Sequence, residues 1–347
     1  MSDRVSVVLI IVASLLLGGC ASQPPPQTAP LATEQPRLSI SREMEDRILA
    51  LDPEQVSETE VDELLSAAPA PRIINIHGGI YPVHLVMESF SEFLMGMGYP
   101  ETSVRNPGDG SLSFSCYDNS EDIAGAIAWY YEHEAMRPMI VGHSQGGIQA
   151  VKVLHELAGH FDPQIAVWNP MLGEKEHRFE IREPITGEPT PVVGLQVAYA
   201  TSVGAGGITR ILPNQWSMMK KLRKVPDSVV AFTGFYMGMD VLGGDLLGFG
   251  SGNHYEPNGE AEVRNVRLPT GSNHFNIPST RQLLDNRKAR DWIYDYEPSE
   301  EPTLDVDFGE DNSHVIWAAD VWHSIRKYWV LELQRVIRAQ REQDHAN

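Results

Sequence analysis

Ser144 lies in "RPMIVGHSQGGIQAVKVL", residues 137 to 154, with a glycine two positions before it and another two positions after, directly behind an apolar run. The pattern Gly142-His143-Ser144-Gln145-Gly146 is G-x-S-x-G, set between a stretch patterned as a buried strand and one patterned as an amphipathic helix. A chain that turns from strand to helix so abruptly brings the two backbones together, so the flanking positions must lack a Cβ. The serine then projects from the sheet edge at a helix N-terminus, where backbone N–H groups and the helix dipole favour a developing oxyanion. A serine hydroxyl alone is a weak nucleophile, and this reading therefore requires a base, an acid that orients it and oxyanion donors elsewhere in the chain.

Each role has a candidate. "RIINIHGG" reads as a strand ending in His77-Gly78-Gly79, a turn similar to the HG turn that follows an early strand in lipases, and this similarity implies the backbone N–H groups of Gly79 and Gln145 as the donors. The alternative is that His77 only caps a strand-to-helix turn. The base is expected after the last strand, where "AEVRNVRLPTGSNHFNIP" supplies His274. His254 is its rival but precedes that strand, while His155, His160 and His323 read as surface or packing histidines. The acid is expected after "SVVAFTGF", where "MGMDVLGGD" offers Asp240 and, as an alternative, Asp245. The apolar residues Ile80, Tyr81, Trp216, Phe235, Tyr236 and Met237 are candidates for a substrate wall, or equally for core. The Cys, His, Asp and Glu residues show no metal-ligand spacing.

The ordered set His77-Gly78-Gly79, Gly142-His143-Ser144-Gln145-Gly146, Asp240 and His274 resembles the α/β-hydrolase superfamily, particularly its lipase and esterase branch, over residues 72 to 340. The resemblance implies a mostly parallel central sheet flanked by helices, catalysis at the carboxyl ends of the strands, and a cap-like insertion, which would fall at residues 171 to 227. It implies hydrolysis of a carboxylic ester through an acyl-enzyme, with a small ester or lipid-like substrate and no cofactor. The same triad also serves amidases, peptidases and thioesterases, and a fold that has lost catalysis serves as a surface-anchored binding protein.

The elements that must position these residues follow from the hydrophobic pattern. Short apolar runs alternate with helical stretches from Arg72 onward, the signature of an α/β chain with a parallel sheet. A helix is predicted over 82 to 98, a strand at "TSVRNP", a helix at "DNSEDIAGAIAWYYEHEA" with Asp118 as its N-cap, and strands at "PMIVG" and "QIAVWNP". Residues 171 to 227 break the rhythm, with a further strand at "VVGLQVAYA", and read as an insertion over the carboxyl edge of the sheet. A closing helix begins near Val315, with Ile316, Val321, Ile325, Trp329 and Val336 on its apolar side.

The 347 residues are 42% hydrophobic and 21% charged, enough for one sizeable core, residues 71 to 347, with appendages. A net charge of −20 without a compact basic cluster repels phosphate backbones and argues against nucleic acid as a partner. At the N-terminus, Arg4 is followed by fifteen uncharged, mostly apolar residues, Val5 to Gly19, that lead into Cys20 as Leu17-Gly18-Gly19-Cys20. That run is short of a bilayer span and suits an export signal over residues 1 to 19. Its end resembles the bacterial lipobox, which implies acylation of Cys20 (palmitate among the chains) and a membrane-anchored lipoprotein of the bacterial cell envelope. Ala21 is similar to lipoproteins sent to the outer membrane. Residues 20 to 70 then read as a Pro-rich tether and a leader helix, with Ser57-Glu58-Thr59-Glu60 as a capping box.

Overall fold

The fold was obtained as a computed structural model, which describes residues 31–32, 35–79, 81–206, 213–240, 242–243, 253–269, 273–306, 308 and 312–346. Its centre is a five-stranded sheet of β1 (Ile73–Ile76), β2 (Met139–His143), β3 (Val197–Val203), β4 (Val229–Met237) and β5 (Glu262–Leu268), side by side in chain order. Every neighbouring pair is parallel. Parallel pairing demands a crossover for each strand, and helices cover both faces. These are α1 (Arg42–Leu49), α2 (Glu58–Glu63), α3 (Tyr81–Gly96), α4 (Glu101–Val104), α5 (Ser120–Glu134), α6 (Gln145–Leu157), α7 (Arg287–Tyr294) and α8 (Ser313–Ala346).

One side of the sheet packs on a core built around Phe90, Phe93, Trp317, Trp322 and Trp329 of α3 and α8. The other packs on Ile123, Ile127, Ile148, Val151 and Leu154 of α5 and α6. Strands buried on both faces explain why "IINI" and "MIVGH" show no polar alternation: all their residues are buried. The five expected apolar positions of the closing helix are all buried.

The sequence reading misplaces one strand. "TSVRNP" does not extend: Glu101–Val104 is a helical turn, and the extended partner of β1 comes at Phe114, bridged in parallel to Ile76. The Phe114 N–H donates to the Asn75 carbonyl at 2.7 Å and the His77 N–H to the Phe114 carbonyl at 3.1 Å. The chain thus leaves β1 toward one side of the sheet, through Phe114, and returns through α5 to β2 on the other side. That reversal is a topological switch point, and the crevice outside the carboxyl ends of β1 and β2 is where such sheets bind ligands.

Three further expectations change. The stretch 171 to 227 is not one insertion, because β3 lies within it as a central strand. Its first part, which holds the ribbon Glu180–Arg182 with Pro189–Pro191, packs away from the carboxyl edge: the Arg178 guanidinium bonds Glu132 near the end of α5, which descends to the amino edge. "QIAVWNP" supplies only Trp168–Asn169 to a small antiparallel ribbon with Glu174–Lys175, outside the central sheet. The cap of α5 is Asn119, whose side chain accepts from the Glu121 N–H, while Asp118 accepts from Ser115 one turn earlier. The capping box at Ser57 is present in full.

Candidate active site

The elbow forms because the local sequence leaves it no alternative. Ser144 has φ 55° and ψ −121°, a conformation that L residues rarely hold, and its N–H donates to the Val203 carbonyl of β3 at 2.8 Å. A Cβ on Gly142 would lie 2.5 Å from the Gly146 carbonyl oxygen, and one on Gly146 would lie 2.2 Å from the Ile76 oxygen and 2.6 Å from that of His77. Real Cβ atoms do not approach backbone so closely, so both glycines are sterically required. Gly147 is equally confined, against the Ser202 hydroxyl and the Ala205 methyl.

Across the crevice, the His274 Nε2 lies 2.9 Å from the Ser144 Oγ, and the His274 Nδ1 lies 2.9 Å from the Asp240 Oδ2. The second carboxylate oxygen of Asp240 accepts the Gly243 N–H at 2.8 Å. His274 and Asp240 are buried, whereas Ser144 is half-buried and reachable. With Nδ1–H donated to the carboxylate, the His274 Nε2 is left as the acceptor for the serine proton. Of the two acids considered, Asp240 occupies this position; Asp245 lies outside the described residues. The rival histidines are placed elsewhere. His254 is exposed and packs its ring on Tyr236, His155 pairs with His160 and the Lys221 carbonyl, and His323 bonds the Glu54 carbonyl.

Gly79 and Gln145 face each other over the serine: a Cβ on Gly79 would lie 2.2 Å from the Gln145 Oε1. Among the described residues neither of their N–H groups has a protein acceptor. The Gly79 carbonyl is tied back by the Tyr117 hydroxyl at 2.7 Å. The His77 Nδ1 lies 2.8 Å from the Gly78 oxygen, its ring stacks edge-on against His84, and burial lowers its pKa, so it is a neutral brace for this turn.

His143, singled out only as part of the elbow, has a second role in the geometry. It is fully buried, and its Nε2 donates to the backbone carbonyl of His274 at 2.7 Å. Burial first, and then the neighbouring His274, lower its pKa to about 3, so the ring stays neutral and its proton is fixed on Nε2 by that acceptor. The residue before Ser144 therefore holds the loop that carries His274. No sequence pattern signals this, nor the closeness of Gly204 and Gly243: a Cβ on Gly204 would lie 2.7 Å from the His274 Cε1, and one on Gly243 2.1 Å from the Asp240 Oδ2.

The proposed substrate wall separates. Phe235 and Met237 are core residues, Tyr236 is half-buried and Trp216 is exposed. Ile80 and the side chain of Tyr81 lie outside the described residues. Exposed apolar groups instead flank the site in sequence and space: Tyr117, Met239 and Phe275, the last edge-on to the His274 ring. An open cleft of about 440 Å³ lined by Phe114, Asp118, Trp168 and Met171 runs along the outer edge of the sheet and includes neither Ser144 nor His274.

A hydroxyl, an imidazole and a carboxylate in this line are equipped for nucleophilic acyl transfer. Compared with known proteins, the chain matches no family model, no curated protein and no solved structure.

Proposed function

We propose that this chain is a serine hydrolase of the α/β-hydrolase type that cleaves carboxylic esters. The observation that carries the reading is the hydrogen-bonded line from the Ser144 Oγ through His274 to Asp240, 2.9 Å at each step, hung on a strained strand-to-helix turn. His274 takes the serine proton as the Oγ–C bond forms, Asp240 holds and stabilises the resulting imidazolium, and the N–H groups of Gly79 and Gln145 receive the oxyanion. The ester C–O bond then breaks, and the alcohol leaves with the proton from His274. Water attacks the acyl-enzyme by the same route in reverse and restores the serine. The exposed apolar side chains of Tyr117, Met239 and Phe275 support an apolar acyl group.

The N-terminal run and Cys20 support a lipid-anchored protein of the bacterial envelope; both lie outside the described residues. No described helix is long and apolar enough to cross a membrane. A panel of esters of graded acyl length, with matched amides and thioesters, tests the catalytic reading. Ester hydrolysis is expected, with Asp240→Asn lowering kcat by about 10⁴-fold. Wild-type protein that is folded and cleaves none of the esters overturns it.

A further inference from the structure

The two donors assigned to the oxyanion lie on different segments: the Gln145 N–H opens helix α6, and the Gly79 N–H belongs to the turn after β1. Their separation is set by whatever registers that turn against the helix. Gly78 and Gly79 have no side chains to hold the turn, and a glycine pair reorients its peptide planes at little steric cost. The His77 Nδ1 donates to the Gly78 oxygen at 2.8 Å and so orients the planar peptide that carries the Gly79 N–H. Beyond the Gly79 Cα, the Tyr117 hydroxyl donates to the Gly79 carbonyl at 2.7 Å. Both peptide planes that meet at Gly79 are thus held, one from within the turn and one from outside it.

Tyr117 is itself placed by the helix that carries the serine. It sits in a tight turn in which the Ser115 N–H donates to the Asp118 carboxylate, the Tyr117 N–H to the Ser115 hydroxyl and the Asp118 N–H to the Ser115 carbonyl. Gln149, buried on α6, donates its side-chain amide to the Asp118 carbonyl at 2.7 Å. The rise along α6 from Ser144 to Gln149 is about 7 Å. On its other side the turn follows Phe114, which is bridged to the end of β1. A closed circuit results: from Ser144 along α6 to Gln149, across to Asp118 and Tyr117, and through the hydroxyl to Gly79, which faces Gln145.

Packing does not account for Tyr117. The residue is 65% exposed, so the fold gains little from its ring. Among the described residues its side chain makes one hydrogen bond, and that bond goes to the oxyanion turn.

We propose that Tyr117 is a positioning residue: its hydroxyl fixes the gap between the Gly79 and Gln145 N–H groups, so that both donors are aimed before the oxyanion forms. Because the oxyanion belongs to the hydrolase reading, this role rests on that reading. Such donors act by needing no reorganisation during the reaction, so a loosened turn costs rate and leaves substrate binding unchanged.

The test compares wild type with Tyr117→Phe, which removes the hydroxyl and keeps the ring. Read on both are kcat and KM for a soluble ester, the melting temperature, and inhibition by a trifluoromethyl ketone with the same acyl group, whose adduct with Ser144 carries the oxyanion. For Tyr117→Phe, kcat is expected to fall about tenfold with KM unchanged, a smaller loss than the roughly 10²- to 10³-fold that follows removal of a donor. The inhibition constant of the ketone is expected to rise by the same factor, and the melting temperature to hold. An unchanged kcat overturns the role, and so does a lowered kcat with undiminished ketone inhibition. A raised KM at constant kcat overturns it by assigning the hydroxyl to substrate contact, and a fall in melting temperature that accounts for the lost rate overturns it by making Tyr117 structural. Folded wild-type protein that cleaves no ester refutes the hydrolase reading instead, whereas an active wild type with an equally active Tyr117→Phe refutes the positioning role alone.

Discussion

Ser144 occupies a backbone conformation that costs a non-glycine residue about 1–3 kcal/mol, and this strain is what aims its hydroxyl at His274. Ser144→Gly is therefore expected to raise unfolding stability by about 1 kcal/mol while abolishing hydrolysis, read by denaturant titration and ester assay on one preparation; a destabilised variant contradicts the strain. His143 acts through another residue. His143→Leu removes the donor to the His274 carbonyl, and kcat is expected to fall about 10-fold or more with KM little changed, because the base drifts from the serine. His143→Gln, which keeps a donor of similar reach, is expected to recover much of the loss. A structural role alone would lower both variants' stability and leave the split between kcat and KM unmoved. At this scale the sequence was legible for the meeting of Ser144, His274 and Asp240, because residue type, chain order and flanking glycines pointed to those positions. It was silent on His143, Gly204 and Gly243: the first two act across the fold on His274, 131 residues from His143, and Gly243 acts where its own loop folds back against Asp240.

At the scale of elements, the strand-to-helix turn is the least tolerant part of the molecule. Gly146→Ala places a methyl into the Ile76 and His77 carbonyl oxygens, backbone atoms at and just beyond the end of β1 that cannot yield. A loss of about 3 kcal/mol or more is expected, with activity lost even in the fraction that folds. The end of the same helix carries a pH response. His155 is buried, its Nε2 donates to the Lys221 carbonyl and its Nδ1 meets His160, and burial lowers its pKa to about 4. The unfolded chain binds a proton at higher pH than the fold does, so this contribution is present above about pH 6.5 and is lost as pH falls toward 4. It amounts to on the order of 3 kcal/mol. His155→Gln is expected to flatten that part of the stability profile between pH 7 and 4, and an unchanged profile contradicts the assignment. Strands and helices with strong apolar periodicity were readable in advance. "TSVRNP" was not, because its single Val104 is a buried helical residue and the pairing with β1 passes to Phe114, where one bridge replaces a strand.

At the scale of the whole molecule, a parallel α/β sheet with one switch point gathers three chemical groups that are up to 130 residues apart in the chain. The expectation that residues 171 to 227 form one insertion over the carboxyl edge does not hold for the stretch before β3, for a physical reason. Charged residues in "EKEHRFEIREP" read as a solvated insertion, whereas Arg178 and Glu132 satisfy each other in a buried pair that pins the segment to the far end of α5. The leader was read as a tether followed by a helix that packs on the domain. Its second half is bound along α8 through Arg341 with Glu45 and through Gln334, which donates to the Ile48 and Leu51 carbonyls, so it belongs to the domain.

The central claim is that Ser144 is a nucleophile made reactive by His274. A fluorophosphonate bearing a reporter, applied to the folded protein and followed by mass mapping of the adduct, tests it most directly. One phosphonyl group on Ser144 is expected, with labelling abolished in Ser144→Ala and slowed by several orders of magnitude in His274→Ala. Absence of an adduct on the folded wild-type protein, or labelling of Ser144 that is indifferent to His274, contradicts the account.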